Sequence, residues 1–179
     1  VLRLHAPPSL ASYVVAPLMP GFRALYPRIA VDLEVDSTQD PAIEAYDITL
    51  LATNAPFDAN VIARKLVESE SILVAAPSYR QHRGHPATPQ DLAAHECLRL
   101  RWGEDRSRTW RLWRQGEEGS AMEVDVQPML WTNHIETLLR AALDGAGIMS
   151  MALDLGAPFL MRGELVRVLD PWIAGRLAV

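Results

Sequence analysis

Arg99, Arg101, Arg106, Arg108, Arg111 and Arg114 stand among Trp102, Trp110 and Trp113. Cations interleaved with aromatic rings are what a single-stranded nucleic-acid groove uses. The same stretch carries Glu96, Glu104, Asp105, Glu117 and Glu118, which favours a solvated strand face, with an arginine or Trp102 left to line a ligand pocket. His82 and His85, with His95 and Cys97 nearby, have the spacing of metal ligands but no second close pair, so they read as loop histidines and no metal is expected. Cys97, in an apolar stretch, reads as a core residue. Gly-x-Ser-x-Gly, His-Glu-x-x-His, Ser-x-x-Lys and a phosphate loop do not occur, which argues against an enzyme. "GAG" at 145–147 follows a helix pattern and precedes a strand, the reverse of a dinucleotide fingerprint, and reads as a tight turn.

The sharper signal is "HAPPSLASY" at 5–13, where prolines and serines separate a strand pattern from a helix pattern. Pro8 and Ser9 set an extended entry and a cap, leaving the amides of Leu10 to Ser12 pointing outward with partial positive charge. A carboxylate or phosphate there gains about 0.3 to 2 kcal/mol from the dipole, so other groups must help hold it. The plainer alternative is that Ser9 only caps the helix.

These residues need elements to position them. Val1 to His5 alternates as a strand, a helix runs from Ser9 to about Tyr26 with Pro17 and Pro20 as kinks, and "IAVDLEV" and "YDITLLA" are two further strands. Between them Asp40 is a plausible cap, with Pro41 at the first helical position. The order β-α-β-α-β predicts a parallel sheet wound with helices. "VIARKLVES" and "ESILVAAP" read as extended, and "TPQDLAAH" as a short helix with a capping box of Thr88 and Asp91. "ECLRLRW", "TWRLWR", "AMEVDVQPML", "IMSMA" and "ELVRVL" read as strands and "LGAPFLMRG" as a short helix. In "NHIETLLRAALDG" Asn133 caps, Glu136 sits three residues on, and Ile135, Leu138, Leu139, Ala142 and Leu143 form the buried stripe.

The chain has 179 residues, 49% hydrophobic, enough to bury a core in one domain or two small ones. A net charge of −5 argues against nucleic-acid binding by these residues themselves. One cysteine fits a reducing compartment, and cytoplasm is expected. No apolar run is long enough to span a membrane. The chain begins on a strand without Met, which suggests an excised fragment.

Taken in order, "LRLHAPPSLASYVVAPLMPGFRALYP", "DITLL", "ARKL", "LVAAPSY", "GHPATPQDLAAHECL", "TWRLW", "AALDGAGI" and "GELVRVLDPW" resemble the effector-binding region of LysR-type transcriptional regulators over the whole chain. The resemblance implies an α/β fold of two Rossmann-like subdomains, of the periplasmic-binding-protein type II, hinged by two crossings near Val74 and Leu169. Residues 1–74 with 169–179 would form subdomain I and residues 75–168 subdomain II. The family's N-terminal winged helix-turn-helix is absent from this chain, and the family pattern continues past Val179.

By position, the resemblance lines an inter-lobe effector site with Ser9, Leu10, Thr38, Gln39, Trp102, Gly103, Thr132, Asn133 and His134, and Ser9, Thr38 and Asn133 are the strongest choices. A small organic, probably carboxylate, effector is expected, with no cofactor. It also implies a homodimer or tetramer, with the 10–26 and 133–145 helices partly in the interface, and DNA contacted only through the absent N-terminal domain. The alternatives are a periplasmic-type solute-binding protein for a small anion, marked by an upstream signal peptide, and an enzyme on the same fold.

Overall fold

The computed structural model describes residues 1–38, 41–53, 62–101, 106–117, 119 and 121–179. Its first layer is a small sheet in the order β2-β1-β3: β1 (Leu2–Ala6) lies between β2 (Val31–Val35) and β3 (Ile48–Thr49), parallel to both. The predicted parallel start is therefore present, although "YDITLLA" yields only two strand residues.

After β1 the chain turns into α1 (Pro8–Leu10), a π-helical stretch Ala11–Val15, and α2 (Ala16–Leu25). The anticipated proline kink takes the form of a widened turn: the Ala16 amide donates to the Ala11 carbonyl five residues back, just before Pro17, and Pro20 sits inside α2. A proline has no N–H to donate, and shifting the hydrogen-bond register by one residue lets the helix continue past it. Ala6, Leu10 and Ala11 are buried with Leu33 and Leu50 against them, which fastens the helix start to the sheet.

The second sheet has seven strands in the order β7-β6-β10-β4-β9-β5-β8. These are β4 (Glu68–Ala75), β5 (Glu96–Leu100), β6 (Thr109–Arg114), β7 (Met122–Asp125), β8 (Gln127–Thr132), β9 (Ile148–Ala152) and β10 (Val166–Ala178). β5 runs parallel to β8 and β9, and β10 pairs antiparallel with β4. Side chains alternate across this sheet. Leu73, Cys97, Trp110, Leu112 and Ile148 enter one core, while Ile72, Val74, Leu98 and Met149 enter another beneath α4 (Ile135–Leu143) and α5 (Leu153–Met161).

Several local expectations are met. Thr88 and Asp91 form a reciprocal capping box on the 3-10 turn Pro89–Ala94, and Gly145, at φ +82, follows the end of α4. Others are corrected. "AMEVDVQPML" splits into β7 and β8, and residues 62–67 join no ladder, the amides of Leu66 and Val67 bonding instead to the Val179 carbonyl. Asp40, expected to cap, lies outside the described residues; the turn there is a 3-10 turn, Ile43–Ala45. Val74 and Leu169, the expected crossing points, lie in β4 and β10. Among the described residues no helix is long and apolar enough to cross a membrane.

Candidate functional site

At the carboxyl end of β1, Pro7 rather than Ser9 is the residue before the helix, and no side chain caps it. Pro8 opens the helix because its missing N–H and fixed φ suit the first turn, and Ser9 comes second. The Ser9 cap is therefore corrected, while the amides of the first turn keep no acceptor within the helix. Leu10 is buried against the small sheet and Ser9 is half-buried.

Beside it, at the end of β2, Asp36 Oδ1 accepts the Thr38 amide at 2.7 Å and faces His5 Nε2 at 3.1 Å. The Thr38 N–H, and to a lesser degree His5, hold the Asp36 carboxyl below the ordinary aspartate range against an opposing push from burial. His5 is fully buried, lies against the Tyr46 ring at 5.2 Å, and leaves Nδ1 without a partner. The Asp-Ser-Thr sequence at 36–38 was a legible turn signal for this arrangement, because a short acidic side chain readily accepts an amide two residues on.

In the larger sheet the Thr132 end of β8 lies beside the Leu100 end of β5, and the Arg101 amide donates to the Thr132 carbonyl at 2.7 Å. His134, not Asn133, is the residue before α4. The His134 amide donates to Thr132 Oγ1 at 3.1 Å, so the threonine hydroxyl does what an asparagine cap would have done, and Asn133 is left exposed. His134 Nδ1 lies 3.0 Å from Thr137 Oγ1.

The structure thus gathers the anticipated residues into two patches, Ser9, Leu10 and Thr38 on one sheet and Thr132, Asn133 and His134 on the other, at the carboxyl ends of parallel strands. α1 packs against α4 and joins the patches. Open α/β sheets bind ligands at such strand ends. Gln39, Trp102 and Gly103 lie outside the described residues. Glu136 was read from the sequence only as a capping residue; it does not cap, and both its carboxyl oxygens are buried without a donor.

The remaining chemistry-bearing residues have structural work. Arg99 lies over the ring of buried Trp110 at 5.1 Å and Arg111 over Trp113 at 5.6 Å, so these rings stack on the protein's own cations. Burial pushes the Cys97 thiol up to about 12, which keeps it protonated and unreactive. Tyr79 Oη lies 2.8 Å from Glu96 Oε2 and 2.9 Å from His95 Nδ1, accepts the Glu96 amide, and closes a network with Arg83. That network borders a polar hollow of about 350 Å³, which includes Ser78 and Gly145. A second hollow, of about 690 Å³, runs along β3 past residues 62–66 to Val179. Neither is lined by the anticipated site residues.

A family model described as the LysR substrate binding domain matches residues 1–178. A regulator of Xanthomonas campestris pv. campestris named as HTH-type is 30% identical over 96% of the chain and 50% of its own length. A probable HTH-type transcriptional regulator LtrA of Klebsiella pneumoniae is 31% identical over 96% of the chain and 54% of its own length. The chain thus spans about half the length of the curated relatives it matches. Among solved structures, the full-length Vibrio cholerae virulence activator AphB superposes with a TM-score of 0.83 at 25% identity, covering 99% of this chain and 59% of that one. The regulatory domain of CrgA from Neisseria meningitidis, at 22% identity and a TM-score of 0.78 over 99% and 87% of the two chains, shares the fold.

Proposed function

The chain belongs to the LysR substrate binding domain family, whose members here are transcriptional regulators and not enzymes, and from that premise we propose that it senses a small organic carboxylate between its two lobes. The observation that carries this reading is the packing of the α1 first turn against α4, at the carboxyl ends of both sets of parallel strands. The unbonded amides of that turn are donors for an anion, and Arg101, beside Thr132, adds positive charge at the opposite patch.

The bound effector biases the angle between the lobes and, through it, the geometry of a homodimer or tetramer. Exposed Leu18 and Leu25, on a helix with no buried residue, support α2 as part of that interface. DNA is contacted by a winged helix-turn-helix supplied by the complete regulator, which acts in the cytoplasm. Gln39, Trp102 and Gly103 complete the proposed effector contacts.

A thermal-shift titration of the 179-residue chain against aromatic and dicarboxylic acids, with Ser9→Ala alongside, tests the reading. An acid at 100 times its dissociation constant stabilises the fold by about 2.7 kcal/mol. A shift that is weakened in Ser9→Ala is the expected result. An acid that stabilises both proteins equally removes the first turn of α1 from the site.

A further inference from the structure

Glu136 lies in the first turn of α4, where an acidic side chain ordinarily accepts the amide of the residue before the helix. Here that amide, from His134, is given to Thr132 Oγ1. His134 Nδ1 faces Thr137, and the Arg101 amide goes to the Thr132 carbonyl. The nearest cationic atom is His134 Nε2 at 3.5 Å, which makes no hydrogen bond to the carboxyl group. Both Oε1 and Oε2 are shut off from solvent without a donor, although the side chain as a whole is 22% exposed. The group therefore sits at the surface of the lobe, its acceptors turned inward at the end of α4 that follows the Thr132 patch.

Buried polar atoms in folded proteins almost always find partners, and an exception calls for a partner that arrives from outside. A carboxylate only accepts, so the missing partner must donate. The first turn of α1, which packs against α4, presents the opposite requirement, since its free amides only donate. We propose that the effector is bipolar: a carboxylate for the α1 amides and an ammonium, guanidinium or hydroxyl donor for Glu136. This rests on the reading of the inter-lobe site as the effector site, and narrows it from organic acids in general to amino acids or hydroxy acids.

Two measurements on the full 179-residue chain decide it. The first needs no ligand. A carboxyl group kept for binding weakens the empty fold, so Glu136→Gln and Glu136→Leu should each raise Tm by about 2–4 °C. A fall in both would mean that Glu136 serves the helix dipole, and the proposal would be overturned. The second compares succinate, L-malate and L-aspartate at equal concentrations. The hydroxyl- or ammonium-bearing acid should shift the Tm of the parent chain more than succinate does, and that preference should vanish in Glu136→Gln. If succinate matches the other two in both proteins, the carboxylate site stands and the donor requirement is refuted. If none of the three moves the parent chain, the bipolar class and the carboxylate reading fall together.

Discussion

At the scale of single residues, the side chains that stand out by type are not the ones left free by geometry. The arginines and tryptophans of 99–114 largely satisfy one another or nearby acids, as Arg111 does with Glu123 at 3.4 Å, and His82 Nδ1 lies 2.7 Å from the Ser78 carbonyl. What identifies Glu136 is its partners rather than its type, and hydrogen-bond partners are decided by the fold, which is why a sequence reading could place it no more finely than a cap. Asp91 is the opposite case, because its role was legible in Thr-Pro-Gln-Asp. The amides of Thr88 and Ala87 hold its carboxyl below the ordinary aspartate range. A lowered folded-state pKa means that the unfolded chain takes up the proton first. The stabilisation is therefore complete above the ordinary aspartate value of about 3.9 and is lost as pH falls through the lower folded value. Asp91→Asn should lower the urea midpoint at neutral pH, and the difference from the parent chain should shrink as the pH is taken below about 3.9.

At the scale of elements, periodicity was informative wherever a segment has one buried face. The 135–143 stripe and the alternation of β2 were both readable, and α4 buries Leu138, Leu139 and Ala142 as the stripe requires. Boundaries were less legible because they depend on which competing donor reaches a free group: Thr132 displaces Asn133 as the cap, and Pro7 precedes the helix that Ser9 was expected to cap. The π-helical turn before Pro17 has no sequence signature beyond the proline itself. The turn at 145–147 was read correctly as a turn, and packing explains its composition. A Cβ at Gly147 would run into the backbone carbonyl of Glu96, the first residue of β5. Gly147→Ala should accordingly destabilise the chain by about 2 kcal/mol or more, read as a lowered urea midpoint, because the obstacle is backbone and cannot swing aside. Gly163→Ala is the control. Its Cβ would meet nothing, which leaves only the conformational penalty of its positive φ.

At the scale of the whole molecule, the family resemblance supplied what local patterns could not, namely that strands far apart in sequence share one sheet. β4 and β10 are neighbours although about ninety residues separate them, and no periodicity encodes such a pairing. Assembly belongs to the same scale. Leu18 is 62% exposed and Leu25 75% exposed, so Leu18→Glu should leave the melting temperature nearly unchanged while moving the sedimentation coefficient toward that of a monomer. An unchanged coefficient would remove α2 from the interface. The β4 and β10 pair has a mechanical consequence for the proposed lobe movement. Their ladder slips register after Val168 and again after Ile173, and its hydrogen bonds run across the strands rather than along them. Such a ribbon resists stretching but flexes and twists with its bonds intact, as a leaf spring does. The elastic resistance to rocking one lobe against the other is then small. The balance between arrangements is set by what the facing surfaces gain from each other, from water or from a bound molecule. The sensitivity of the switch accordingly lies in the chemistry of those surfaces, and substitutions within the ribbon should tune its speed more than its set point.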